Sequence, residues 1–138
     1  MIYVDSSVVV AHLLFEDRRP PAELWDASLV SSRLLEYEVW NVLHRRSSAE
    51  AHGERARDLL ERIDLLKLSP PMLERALEPF AVPLRTLDAL HLASLDYLRT
   101  ERSWRIELAT YDGRMAAAAE AMSVPLFDLQ VGPAANGG

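Results

Sequence analysis

The sequence predicts an α/β domain with a mostly parallel central sheet flanked by helices. Three observations carry this expectation. Short apolar runs with strand character, at 2–4, 28–31, 64–68, 106–110 and 124–127, alternate with stretches of helical periodicity. That alternation favours parallel strands joined by helical crossovers. No internal repeat or low-complexity linker interrupts it, so one domain is expected over residues 1–129, followed by a mobile tail, 130–138, with no periodicity. Finally, two of the strand runs lead directly into an acid, Asp5 after Ile2-Tyr3-Val4 and Asp112 after the run ending at Thr110. An acid at the carboxyl end of a strand is where open α/β sheets place ligand-binding groups.

The elements follow in order. Strand 2–4 delivers Asp5, Ser6 and Ser7 to a turn, and the apolar run 8–15 reads as a short helix broken by the segment 16–21 with its proline pair. A helical turn is expected at 21–27 and a strand at 28–31. Residues 32–46 are helical, with Leu35, Val39, Val42, Leu43 and Arg46 on one side of the wheel. A mostly charged helix, 49–63, follows across Ser47 and Ser48 to complete a helical hairpin. After the strand candidate 64–68, Pro70 and Pro71 start a helix that Pro79 ends. Thr86 opens the best amphipathic helix, 87–102, with Leu87, Leu90, Ala93, Ser94, Tyr97 and Leu98 at helical spacing. Strand 106–110, an alanine-rich helix from Asp112 to about Met122, and strand 124–127 complete the domain.

Composition narrows the chemistry. With 138 residues the chain can bury a core without staples, and the absence of cysteine removes disulfides, thiolate nucleophiles and Cys-based zinc sites. No apolar run reaches the roughly 18 to 20 residues of a membrane span, and the start lacks a basic leader, so a cytoplasmic protein is expected. Net charge is −6, from 21 acids against 15 Lys plus Arg, which leaves nucleic-acid binding to local patches. The pairs Arg18/Arg19 and Arg45/Arg46 are the candidates for such patches. Lys67 is the sole lysine.

The acids are the informative residues, and each has two readings. Asp5 and Asp112 sit where a helix N-cap belongs, and Asp88 lies in a first helical turn, where the dipole favours negative charge. Three acids in equivalent strand-end or helix-start positions of one small domain also point to a shared site. A fourth acid would come from helix 32–46, which carries Glu36 and Glu38. They lie symmetrically about its apolar centre, so periodicity does not choose between them.

The order Asp5-Ser6-Ser7 after a strand, Glu38-Val39-Trp40-Asn41-Val42-Leu43, Arg85-Thr86-Leu87-Asp88-Ala89-Leu90-His91-Leu92-Ala93-Ser94 and Thr110-Tyr111-Asp112-Gly113-Arg114 resembles the PIN-domain nucleases, most of all the VapC toxins of bacterial toxin–antitoxin pairs. The resemblance covers residues 2–129. It implies a three-layer PIN-like fold and an acidic quartet at Asp5, Glu38, Asp88 and Asp112, with Glu36 an outer acid. It implies supporting hydroxyls at Ser6 and Thr110, RNA cleavage leaving a 5′-phosphate and a 3′-hydroxyl, a VapB-like antitoxin whose tail lies across the acidic groove, and a homodimer built partly on helix residues 35–43.

The chemistry is consistent with that implication. Carboxylates about 5 Å apart repel by roughly 3 kcal/mol per pair at an effective dielectric near 20, so four of them need a cation or protons. Oxygen-only ligands select Mg²⁺, with Mn²⁺ as a substitute. Asp5, Asp88 and Asp112 are expected as metal ligands, and Glu38 as a ligand or a group orienting the attacking water. Ser6 and Thr110 would hold waters or a phosphate oxygen, leaving Ser6 and Ser7 to cap the first helix. His91, one turn after Asp88, is more readily structural than catalytic, and Trp25, Trp40 and Trp104 belong to core or interface.

Two alternatives remain. One is a PIN nuclease serving housekeeping RNA processing, which single-domain length disfavours. The other is a noncatalytic metal-binding α/β module of the phosphoacceptor kind, which lacks a lysine at a strand end because Lys67 lies within a strand candidate. A haloacid-dehalogenase-like phosphatase would need a second Asp at position 7, where Ser7 stands.

Overall fold

The structure, a computed structural model, describes residues 1–14 and 18–130. The end of the first helical run at Phe15 and the tail 131–138 lie outside the described residues. Among the described residues, four strands, β1 (Ile2–Val4), β2 (Leu29–Ser32), β3 (Ile63–Leu66) and β4 (Glu107–Ala109), form one sheet in the order β3-β2-β1-β4. Every pairing is parallel: Ile2 sits opposite Leu29 and Glu107, and Leu29 opposite Ile63. The expected last strand is reduced to one parallel bridge, Leu108 to Leu126, beside β4. Pro125, which cannot donate to a ladder, stands next to that bridge.

Among the described residues, six helices accompany the sheet: α1 (Ser6–Leu13), α2 (Leu34–Arg45), α3 (Ala49–Glu61), α4 (Pro70–Ala76), α5 (Thr86–Thr100) and α6 (Gly113–Ala121), with a 3-10 turn at Ala22–Asp26. The two-residue period of the strands divides the core. Ile2, Val4, Leu29 and Ala109 point into one cluster with Val8, Val9, Leu35, Val39, Leu43, Leu59 and Leu60 of α1, α2 and α3. Tyr3, Val30 and Leu108 point the other way, against Leu92, Leu95 and Leu98 of α5 and Met115, Ala118 and Ala119 of α6. The sheet is therefore covered on both faces, as an all-parallel sheet requires, and the result is the expected three-layer α/β arrangement.

This topology fixes where a site can form. From β1 the chain runs through α1 to β2 on one side, and β4 joins β1 on the other, so the strand order reverses at the carboxyl end of β1. A crevice opens at such a switch point, and the residue standing there is Asp5.

Two local expectations differ from the structure. Ser6 and Ser7 do not cap α1; Asp5 does, its Oδ2 accepting from the Ser7 backbone N–H at 3.4 Å, because its extended backbone occupies the N-cap position. On α5, Leu87 is 44% exposed, while Ala93, Ser94 and Leu98 of the expected stripe are buried together with His91, Leu92 and Leu95. This helix packs against both α4 and β2, so its buried side is turned from the simple apolar stripe.

Candidate active site

The four acids come from four separate segments and line one cavity of about 540 Å³ at the carboxyl edge of the sheet. Asp5 follows β1 and Asp112 follows β4. Glu38 stands on α2, which β2 leads into, and Asp88 lies in the first turn of α5. Ser6, Ser7, Val42, Arg18, Arg46 and Arg85 complete the wall. Glu36 points elsewhere, within 3.8 Å of Arg33 on the exposed side of α2. The ambiguity of the helical wheel is thus resolved by tertiary contact, since Glu38 reaches His91 of α5 and the cavity while Glu36 pairs with Arg33.

Asp5 and Asp112 each cap a helix and also line the cavity. Asp112 accepts from the backbone N–H groups of Arg114 (2.9 Å) and Met115 (3.2 Å) through Oδ1 alone. Asp5 takes all its hydrogen bonds on Oδ2: from Ser7 Oγ at 2.7 Å, Thr110 Oγ1 at 2.8 Å and the Ser7 N–H. Among the described residues, the second oxygen of each carboxylate accepts no hydrogen bond. In each, one oxygen alone fixes the side chain.

The two expected hydroxyls, Ser6 and Thr110, are each hydrogen-bonded to one of the acids. Thr110 Oγ1 also accepts from the Asp112 N–H at 3.0 Å, and Ser7 Oγ accepts from the Tyr111 N–H at 3.0 Å. Ser6 Oγ donates to Glu38 Oε2 at 3.3 Å. The other Glu38 oxygen, Oε1, is bonded to Nε2 of His91, a fully buried residue whose Nδ1 meets the Tyr3 hydroxyl at 2.8 Å.

Charge accumulates here. Burial, then the neighbouring carboxylates of Asp5, Asp112 and Glu38, push the Asp88 carboxyl up from 3.8 to about 6, against a smaller opposing effect of His91. Burial alone would press His91 below its ordinary value, but Tyr3 and the Glu38 carboxylate outweigh it and lift the pKa to about 10. His91 thus balances part of the negative charge from behind the cavity wall.

The donor set fits a hard divalent cation: four carboxylates, two of them fixed through one oxygen alone, and a mutual repulsion that already raises one pKa. Among the described residues, no three His, Asp or Glu side chains already stand at metal-holding separation. The acids therefore share a cavity wall, and a cation would draw them together.

Sequence reasoning did not find Arg85, which borders the cavity, nor the parts played by Tyr3, Ser7 and Ser32. Arg85 immediately precedes the Thr86-Leu87-Asp88 helix start, which is a usable signal. Tyr3 and His91 are 88 positions apart, and no local pattern announces such a contact.

Comparison with known proteins gives the family. The PIN domain family model matches residues 2–121. Ribonuclease VapC46 of Mycobacterium tuberculosis (strain ATCC 25618 / H37Rv) is 35% identical over 133 residues, covering 91% of this chain and 95% of the relative. Ribonuclease VapC47 of Mycobacterium tuberculosis (strain CDC 1551 / Oshkosh) is 30% identical over 122 residues, covering 83% and 87%. The crystal structure of Mycobacterium tuberculosis VapC20, a sarcin-ricin loop cleaving toxin, matches with a TM-score of 0.66 at 21% identity, over 86% of this chain and 95% of that one. At that identity the structural match bears on the fold. Together, the family match and the two curated relatives make this chain a member of the PIN domain family, grouped with the VapC ribonucleases.

Proposed function

We propose that this chain is a Mg²⁺-dependent endoribonuclease acting as the toxin of a toxin–antitoxin pair. The observation that carries the reading is the convergence of Asp5, Glu38, Asp88 and Asp112 on one cavity at the switch point of the sheet. Asp5, Asp88 and Asp112 are the residues that would hold the cation. When bound, Mg²⁺, or Mn²⁺ in its place, supplies Lewis acidity toward a phosphodiester oxygen and lowers the pKa of an attacking water. Glu38 orients that water through Oε2, the oxygen His91 does not hold. Arg18, Arg46 and Arg85 on the cavity rim hold the RNA backbone, offsetting the repulsion between phosphates and an acidic protein.

The kinship with VapC ribonucleases supports a VapB-like antitoxin as partner and a cytoplasmic site of action. Among the described residues no helix is long and apolar enough to cross a membrane. Tyr37 on α2 is 65% exposed and Leu77 beyond α4 is 88% exposed, which offers apolar surface to a second copy and to the antitoxin.

The test is RNA cleavage in Mg²⁺ by the parent, Asp5→Asn and Asp88→Asn. Each variant should lose more than the roughly 100-fold typical of losing a group that merely orients a metal ligand; parental activity in either would refute the assignment. Expression without a partner should arrest growth, and Asp5→Asn should relieve the arrest. Harmless expression of an active nuclease would favour housekeeping RNA processing.

A further inference from the structure

The acidic cavity is backed by a buried polar chain running through Ser32, Tyr3 and His91 to Glu38. The Ser32 backbone N–H donates to the Tyr3 hydroxyl at 3.1 Å, and that hydroxyl is 2.8 Å from His91 Nδ1. His91 Nε2 is bonded to Glu38 Oε1. Ser32 Oγ stands 3.4 Å from His91 Nδ1 and accepts from the Leu34 N–H at 3.2 Å. Tyr3, Ser32 and His91 are each fully buried. They come from β1, β2 and α5, so the chain crosses the sheet and ends on the α2 carboxylate that lines the cavity.

The hydrogen bonding has one direction at its working end. Glu38 is an acceptor, so the hydrogen lies on His91 Nε2 whether the ring is neutral or charged. In the neutral ring Nδ1 accepts from the Tyr3 hydroxyl, which accepts in turn from Ser32 N–H; in the charged ring Nδ1 donates to the same hydroxyl oxygen. Ser6 Oγ, from the first turn of α1, donates to Oε2 and holds the other side of the carboxylate. Glu38 is thus gripped at both oxygens, by Ser6 on the cavity wall and by His91 buried behind it. A glutamate has three rotatable side-chain torsions, and at Glu38, 14% exposed, the bonds to both oxygens hold them in one arrangement.

We infer that His91 is a positioning residue: seated by Tyr3 and Ser32, it fixes the Glu38 carboxylate in the orientation the cleavage reaction needs. The inference rests on the nuclease reading, with Glu38 acting on the water. It assigns His91 a role distinct from general base or metal ligand, since the ring is fully buried and both its nitrogens are engaged away from the cavity. Partners of this kind around a metal site typically contribute 10- to 100-fold in activity or affinity.

The test has two arms. In the metal-free, RNA-free protein with ¹⁵N-labelled histidine, the buried Nε2–H of His91 should give an exchange-protected downfield proton signal. Glu38→Gln should shift or abolish it while the fold, judged by the remaining amide spectrum, persists. A signal absent from the parent or indifferent to Glu38→Gln overturns the inference without touching the nuclease reading. In the kinetic arm, His91→Ala should lower kcat by about 10- to 100-fold with little change in KM. His91→Gln, which can return an N–H to Oε1, should recover part of that loss, and Tyr3→Phe should lower kcat less than His91→Ala. The double variant His91→Ala/Glu38→Gln should be no worse than Glu38→Gln alone. Independent, multiplying losses in the double variant, or full kcat in Tyr3→Phe and His91→Gln alongside lowered melting temperatures, would show a merely structural histidine. Should His91→Ala fail to fold, His91→Gln and Tyr3→Phe carry the same comparison. A parent that binds divalent cations yet cleaves no RNA would count against the nuclease reading, while the spectroscopic arm still decides the hydrogen bond.

Discussion

Thr110 Oγ1 donates to Asp5 Oδ2 at 2.8 Å across 105 positions of sequence, and it also accepts from the Asp112 N–H at 3.0 Å. One hydroxyl therefore ties together the ends of β1 and β4 and the two acids that follow them. Ser7 Oγ repeats the device, donating to the same Asp5 oxygen and accepting from the Tyr111 N–H. Thr110→Val keeps the shape of the side chain but leaves a backbone N–H and a carboxylate oxygen short of a partner. It should cost about 1–3 kcal/mol of stability and lower cleavage activity, whereas Thr110→Ser should retain most of both. Urea denaturation and RNA cleavage measured on the same three proteins check this.

Asp88 makes the metal-free protein sensitive to mild acid in an unusual sense. Its folded pKa, about 6, lies above the ordinary 3.8, so the folded state binds the proton more tightly than the unfolded chain. The associated stabilisation is complete below 3.8 and is lost as pH rises through 6. Solvent screening reduces it to about 1 kcal/mol at this half-exposed group. The stability difference between parent and Asp88→Asn in chelator should therefore shift in favour of the variant from pH 4 to pH 7. A pH-independent difference would contradict the shift. His91 acts over a higher window: its stabilisation is present below 6.5 and lost as pH rises through about 10.

A divalent cation should relieve the same repulsion. Mg²⁺ at 100 times its dissociation constant stabilises a one-site protein by about 2.7 kcal/mol, so the melting temperature of the parent at pH 7.5 should rise with added Mg²⁺ or Mn²⁺. Asp5→Asn and Asp112→Asn should show little of this rise, and Glu36→Gln should show all of it. Thermal melts in titrated metal distinguish the cases.

Salt dependence identifies the RNA-facing cations. Arg18 lies over the Tyr111 ring at 4.7 Å and donates to the Tyr111 carbonyl at 3.4 Å, so it is held at the cavity rim. Arg18→Ala and Arg85→Ala should each reduce the slope of log affinity against log salt by about 0.7 on single-stranded RNA. Arg33→Ala, on the far side of α2, should leave it unchanged. Binding measured with Asp5→Asn protein avoids cleavage during the titration.

Stability can be raised far from the cavity. Ser47 and Ser123 have φ of 52° and 62°, the left-handed region that favours glycine. Each follows a helix in the same closing motif: Ser48 N–H bonds to Leu43 O at 2.7 Å, and Val124 N–H to Ala119 O at 2.9 Å. A left-handed non-glycine residue costs about 1–2 kcal/mol, partly offset by the entropy of glycine. Ser47→Gly and Ser123→Gly should each raise the melting temperature by a few degrees without altering cleavage.

Much of this was visible in the chain itself. Apolar runs separated by helical stretches specify a parallel α/β sheet because a buried strand needs apolar side chains on both faces and a crossover needs a helix. Asp5 and Asp112 could be read as site residues because a strand end is defined by its immediate neighbours. Asp88 followed in the same way from its helix start. These are local properties, carried by a few adjacent residues.

Other features were set by packing at a distance. The choice of Glu38 over Glu36 depends on which of the two reaches His91 of α5 and the cavity, and the wheel of an isolated helix is symmetric on that point. Whether Asp5 caps a helix or offers an oxygen to a ligand was posed as an alternative, yet a carboxylate has two oxygens, and Ser7 and Thr110 claim only one. The burial of His91 between Tyr3 and Glu38 arises because β1, α2 and α5 bring residues 3, 38 and 91 together around the sheet edge. Hydrogen bonds between segments so far apart leave no periodicity or spacing in the sequence, so the acids can be read from the chain, but the groups that aim them are decided by the tertiary fold.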